Sequence, residues 1–128
     1  MRRTLRKNEI LRGHQSFSTV LSKGNTLQSG VLRCFFLLGD GDQKDLKVGF
    51  AVSRSVRGSA LRNRLRRLMK EAYRLNKTIL AVHTGRQMVP VRAVFMCTPG
   101  TPAQANAQTY GDIEHCMIEL LKNLQQKL

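Results

Sequence analysis

The sequence contains no tryptophan, two tyrosines, three prolines, and eight acids against 22 lysines and arginines. The shortage of acids bears most directly on chemistry. Metal-assisted phosphodiester hydrolysis needs carboxylates that converge on a cation. Three of the eight, Asp40, Asp42 and Asp45, crowd one short stretch, DGDQKD. That stretch reads as a turn, because a calcium loop would need Glu at its twelfth position and Ala51 stands there. Cys34, Cys97 and Cys116 lie too far apart for a Cys-x-x-Cys zinc or redox motif, and His14, His83 and His115 lack metal-ligand spacing. Neither zinc nor an organic cofactor is expected, and the cysteines read as buried free thiols. No apolar run reaches the roughly 18 residues of a membrane span. The first residues, MRRTLRKNEILRG, lack the continuous apolar region of a signal peptide. The expectation is a cytoplasmic protein with no membrane partner.

What is present is positive charge. The formal net charge is +14 over 128 residues, a length that fits one compact domain spanning 1–128. The hydrophobic share of 41% is sufficient for a folded core. A domain this basic is attracted to polyanions.

The charge is concentrated. From Arg54 to Lys77 there are nine Arg and Lys residues and one Glu, 9 − 1 = +8. The stretch SALRNRLRRLMKEAYRLNK reads as a helix. On a wheel of roughly 100° per residue, Leu61, Leu65, Leu68, Met69, Ala72, Leu75 and Ile79 form a core-facing stripe. Arg62, Arg66, Arg67, Lys70, Arg74 and Lys77 spread across the opposite side, with Asn63 near its middle and Tyr73 toward its edge. Glu71 stands four residues after Arg67, where the two can pair. A merely solvated face would mix signs, since like charges at this spacing repel. Arginine forks suit phosphate, and the bulky apolar residues that would anchor a membrane-surface helix serve the core instead. Nucleic acid is therefore the expected partner. Charge alone does not distinguish RNA from DNA.

Around that helix the remaining elements are simpler. Phe17, Val20 and Leu21 lie at helical spacing in HQSFSTVLSKGN, which ends at Gly24. VLRCFFLLGD reads as a strand, and LKVGFAVSRSV alternates as its hairpin partner. NTLQSG has room for an additional short strand. Residues 80–90 and TPGTPAQANAQ read as loops, VRAVFMC as a buried strand. YGDIEHCMIELLKNLQQKL reads as an amphipathic helix with Ile113, Met117, Leu120, Leu121 and Leu124 on one stripe. The expected class is α+β in the order α-β-β-β-α-β-α, an antiparallel-rich sheet with helices packed on it.

The stretch VGFAVSRSVRGSALRNRLRRLMKEAYRLNK resembles the signature segment of the bacterial ribonuclease P protein subunit, with RNRLRRLMKE at its centre. The likeness extends to F-x-x-V-L-x-x-G (Phe17 to Gly24), the strand pair and Tyr110 at the start of the last helix. The family commonly has an aromatic residue where Leu21 stands, and RGSALRNR occupies a place where an Ala-Val pair is usual. The resemblance implies a single-domain α/β sandwich like a ribosomal-protein domain, with a left-handed β-α-β crossover where the general rule is right-handed. It implies a protein that binds a catalytic RNA subunit and the 5′ leader of precursor transfer RNA, assisting Mg²⁺-dependent hydrolysis carried out by the RNA. Arg54, Arg57, Arg62, Asn63, Arg64, Arg66, Arg67, Lys70 and Arg74 would face the RNA subunit. Phe17, Leu21, Arg33 and Phe35 would line the leader cleft. No catalytic residue is expected in the chain. The competing expectations are a non-catalytic RNA-binding protein of ribosomal type and an autonomous metal-dependent endonuclease.

Overall fold

The computed structural model describes residues 10–11, 14–39, 46–80 and 91–127. The basic N-terminal residues Arg2, Arg3, Arg6, Lys7 and Arg12, the DGDQKD turn, and residues 81–90 of the expected loop 80–90, His83 among them, lie outside the described residues.

The chain runs α1 (His14–Lys23), β1 (Asn25–Ser29), β2 (Leu32–Leu38), β3 (Leu46–Val52), α2 (Ser59–Asn76), β4 (Val91–Cys97), α3 (Pro102–Ala107) and α4 (Tyr110–Lys127). A 3₁₀ turn, Lys77–Ile79, follows α2. The expected α+β class is found, with the short strand in NTLQSG present as β1. TPGTPAQANAQ contains a helix where a loop was expected. Thr101 caps α3 by accepting the Gln104 N–H at 3.0 Å, and Pro102 opens it, where a missing N–H costs nothing.

The sheet order is β1-β2-β4-β3. The expected β2–β3 hairpin does not form. β4 lies between the two strands, antiparallel to β2 with Phe35 opposite Val94, and parallel to β3 with Val94 opposite Gly49. Both strands gain by this arrangement. A buried strand needs hydrogen-bonded neighbours on both edges, and VRAVFMC is the most thoroughly buried apolar strand candidate in the chain. Residues 10 and 11 run along the outer edge of β3, where the Leu11 N–H donates to the Val48 carbonyl at 2.7 Å.

Period two divides each strand between two sheet faces. Leu32, Cys34 and Phe36 of β2, Val48, Phe50 and Val52 of β3, and Ala93, Phe95 and Cys97 of β4 all belong to the main core. This core is closed by Leu65, Met69, Ala72 and Tyr73 of α2 and by Ile113, Met117, Leu120, Leu121 and Leu124 of α4. Tyr73 is only 1% exposed, which corrects its placement toward the basic edge of the helix. Its ring stands 5.8 Å from Phe50 and 5.7 Å from Phe95, centroid to centroid, within the range of favourable aromatic pairing. All three cysteines are free and buried. Burial raises the Cys34 thiol to about 12, and burial followed by the neighbouring Cys116 raises Cys97 to about 11.

Candidate nucleic-acid interface

α2 begins at Gly58, whose φ of 94° is costly for any residue with a Cβ. The helix has no side-chain cap and no acid in its first turn. Its six cationic positions do not act as one set. Arg62 is half-buried and turns back to the end of β3. Its Nη1 donates to the carbonyls of Ser53 at 2.8 Å and Val56 at 3.1 Å, while Nη2 donates to Val52 at 3.0 Å. Arg64 likewise donates through Nη2 to the Gln108 carbonyl at 2.6 Å, tying α2 to the segment before α4. The wheel put Arg62 on the open side. The structure corrects that placement, because the Val52, Ser53 and Val56 carbonyls cluster at the strand end and the planar multi-donor group of Arg62 meets all three.

The outward surface is carried by other residues. Asn63, Arg66, Arg67 and Lys70 line a shallow groove that starts at Ala60. Within it Arg66 Nη1 donates to Asn63 Oδ1 at 3.0 Å, so Asn63 orients a guanidinium. Arg54 and Arg57 stand exposed on the β3–α2 loop. Glu71 pairs with Arg74 rather than with the expected Arg67. The Arg74 hydrogen bond holds the Glu71 carboxyl below its usual range. The other acids among the described residues are occupied elsewhere. Asp112 caps α4 by accepting the Thr109 N–H, Glu114 accepts from Tyr110 and Asn76, and Glu119 meets Ser29 and His115. Among the described residues, Arg54, Arg57, Arg66, Arg67 and Lys70 therefore have no anionic neighbour in an ion pair. No group of three His, Cys, Asp or Glu among them could hold a metal ion.

The second surface is the sheet face under α1. Here the strand register sets side chains in rows. Thr26, Phe35, Val94 and Gly49 form the central row, Gln28, Arg33, Met96 and Ala51 the row on one side, and Leu37, Arg92 and Lys47 the row on the other. α1 lays Phe17, Val20 and Leu21 over the centre, against buried Val94 and Leu11. Phe17 packs so closely that a Cβ at Gly49 would lie 2.3 Å from its Cζ. Phe17, Leu21 and Phe35 are half-buried and Arg33 is exposed. The four expected cleft residues thus share one face, with the three apolar ones in a small second cluster. Sequence reading missed Thr26, Gln28, Ala51 and Met96. The signal was available: in VRAVFMC the same period of two that buries Ala93 and Phe95 turns Arg92, Val94 and Met96 to the other face. Arg33, Arg92 and Lys47 flank the apolar centre, and none of the described acids lies in these rows. Such a face can stack bases and track a phosphate backbone.

Known proteins resemble this chain in sequence and in fold. The ribonuclease P protein component of Alkaliphilus metalliredigens is 28% identical over 121 residues, 94% of this chain and 97% of that one. The component of Chlorobaculum tepidum is 30% identical over 129 aligned residues, 93% and 84% of the two chains. Among solved structures, the protein from Thermotoga maritima superimposes with a TM-score of 0.69 over 90% of this chain and 96% of that one, at 21% identity. The protein from Staphylococcus aureus gives 0.68 over 91% and 95%, at 14% identity. At those identities the likeness speaks for the fold. A family model described as Ribonuclease P matches residues 5–124, and with it the chain belongs to the ribonuclease P protein family, the protein component of an endoribonuclease whose catalysis is carried by RNA.

Proposed function

We propose that this chain docks on the catalytic RNA subunit through the outward side of α2 and its preceding loop, and holds the single-stranded 5′ leader of precursor transfer RNA against the α1 face of the sheet. Arg54, Arg57, Arg66, Arg67 and Lys70 neutralise phosphates, with Arg74 at the far end of the same side. Asn63 fixes the geometry of Arg66. Arg62 and Arg64 hold the helix and loop in place from inside. Phe17, Leu21 and Phe35 offer apolar contact to leader bases, and Arg33 meets the leader backbone. Leu21 supplies no ring, so the grip rests on the two phenylalanines. Hydrolysis takes place in the RNA, in the cytoplasm, with Mg²⁺. The four described acids are each bonded to protein groups and do not converge, so the described residues do not fit a Mg²⁺ site and no step is assigned to them.

The observation that carries this reading is the set of five cations without an anionic partner among the described residues. Replacing Arg66, Arg67 and Lys70 with Ala should weaken binding to the RNA subunit. It should also flatten the dependence of log K on log salt by about 0.7–0.9 per lost phosphate contact. An unchanged slope would return this side of α2 to a solvated surface. Asn63→Ala should lower affinity with little change in slope. A protein of ribosomal type would bind RNA without stimulating leader removal, so adding purified protein to the catalytic RNA and assaying 5′ maturation separates the two readings. Leader cleavage by RNA-free protein would overturn both.

A further inference from the structure

A cavity of about 380 Å³ opens between the β3–α2 loop and α3, beyond the carboxyl ends of the parallel pair β3 and β4. It adjoins the docking surface, with which it shares Arg57, and is separate from the sheet face under α1. Val56, Leu61, Pro99 and Ala105 form its walls, and Arg57 and Asn106 line it as well. Val56 and Ala105 are 5% and 2% exposed, so the walls are anchored in the core. The volume is at the small end of the range of roughly 300–1,000 Å³ typical of small-ligand pockets. It suits one flat group and excludes a duplex.

We propose that this cavity receives a single unstacked nucleobase of the RNA subunit. Apolar walls favour an uncharged ring over a bare phosphate. Among the described residues no acid lines the cavity, and Arg57 supplies a planar cation on which a base stacks. Asn106 donates its amide group to the Pro102 carbonyl at 2.9 Å, which leaves its amide oxygen as an acceptor for an exocyclic amino group. The site is preformed, which lowers the ordering cost of binding. Arg62 clamps one wall through the Ser53 and Val56 carbonyls. The other wall is fixed by the Thr101 cap and by the Gly100 N–H donating to Gln104 Oε1. Leu61 also sits beside Ala60, where the groove of Arg66, Arg67 and Lys70 begins, so a strand following that groove reaches the cavity at the first turn of α2.

The inference rests on the proposed docking of α2 and is tested apart from it. Asn106 is exposed, so Asn106→Trp fills the mouth of the cavity without touching the core. Binding of the RNA subunit would be measured across a salt series for wild type, Asn106→Trp and the Arg66, Arg67, Lys70 variant, with chemical probing of every nucleobase and a melting curve for each protein. The expected result for Asn106→Trp is an affinity loss of about tenfold, comparable to one stacked base. The salt slope and melting temperature should hold, and one nucleotide protected by wild type should become reactive. Unchanged affinity overturns the inference, as does a loss in which no nucleobase changes reactivity. The variant of the three cations, in the same titration, decides the docking reading separately.

Discussion

The two faces of the sheet are closed to different degrees. On one, eleven buried strand residues lie beneath two 18-residue helices, and none of these is more than 9% exposed. On the other, a ten-residue helix covers the centre, Leu11, Val20 and Val94 are buried, and Phe17, Leu21, Leu37, Phe35 and Ala51 are only partly covered. The difference separates two tasks that compete when they share a surface. Stability is drawn from the α2–α4 side, so the α1 side can leave aromatic and cationic groups accessible to a single strand.

That division is open to experiment. The largest effect should follow Phe95→Ala, which empties the middle of the Phe50–Tyr73–Phe95 cluster and should cost about 3–5 kcal/mol by denaturant titration. A loss below about 1 kcal/mol would break the assignment of stability to this side. Arg62→Ala should cost about 2 kcal/mol even without RNA, because three carbonyls lose a charged donor. Arg62→Lys should recover little of it, since one ammonium cannot reproduce the fork. Thr109→Ala removes the cap of α4, where the Asp112 N–H donates to Thr109 Oγ1 at 3.2 Å, and should cost about 1 kcal/mol.

On the α1 side the expected losses are smaller and of another kind. Phe17→Leu and Phe35→Leu should each shift stability by less than about 1.5 kcal/mol. They should weaken holoenzyme binding of precursor carrying a leader of several nucleotides by about 1–3 kcal/mol per lost stack, while sparing mature transfer RNA. Equal losses for both RNAs, or a large fall in melting temperature, would place these rings in the core instead. The smallest effect concerns acid. Hydrogen bonds from Thr109 lower the Asp112 carboxyl from its ordinary 3.8. Its contribution is therefore fully present above that value and is lost as pH falls through the lowered one. In Asp112→Asn the acid side of the stability profile should be slightly shallower, a difference readable from melting curves at low pH.

The helices and strands were largely legible because each announces itself by period. Leu65, Met69 and Ala72 repeat at helical spacing, and Val48, Phe50 and Val52 alternate. Partnership was not legible. Alternation says which residues of LKVGFAVSRSV face the core but not which strand lies beside it, and sequence proximity favoured a hairpin over the crossover through α2. α3 was hidden because Thr101-Pro102 signals a turn and a helix start alike. On the basic helix, charge identified the side but could not separate Arg62, spent on carbonyls, from Arg66, free to face outward. That distinction depends on where β3 ends in space. Met96 could have been read from the alternation of VRAVFMC, whereas Thr26 carries no local signal and emerges only from register.

The position of β4 also has a kinetic consequence. During synthesis β1, β2, β3 and α2 are all made before the strand that joins them. Until residues 91–97 emerge, β2 has a partner on one side only, and the two halves of the sheet share no hydrogen bond. Folding of this chain should therefore be governed by a late, long-range closure rather than by local hairpins, and such closures are slow. An unpaired apolar edge is an aggregation hazard while it waits. The strong positive charge already present on α2 would repel neighbouring nascent chains during that interval, so the residues proposed to grip RNA in the finished protein would also keep its unfinished copies apart.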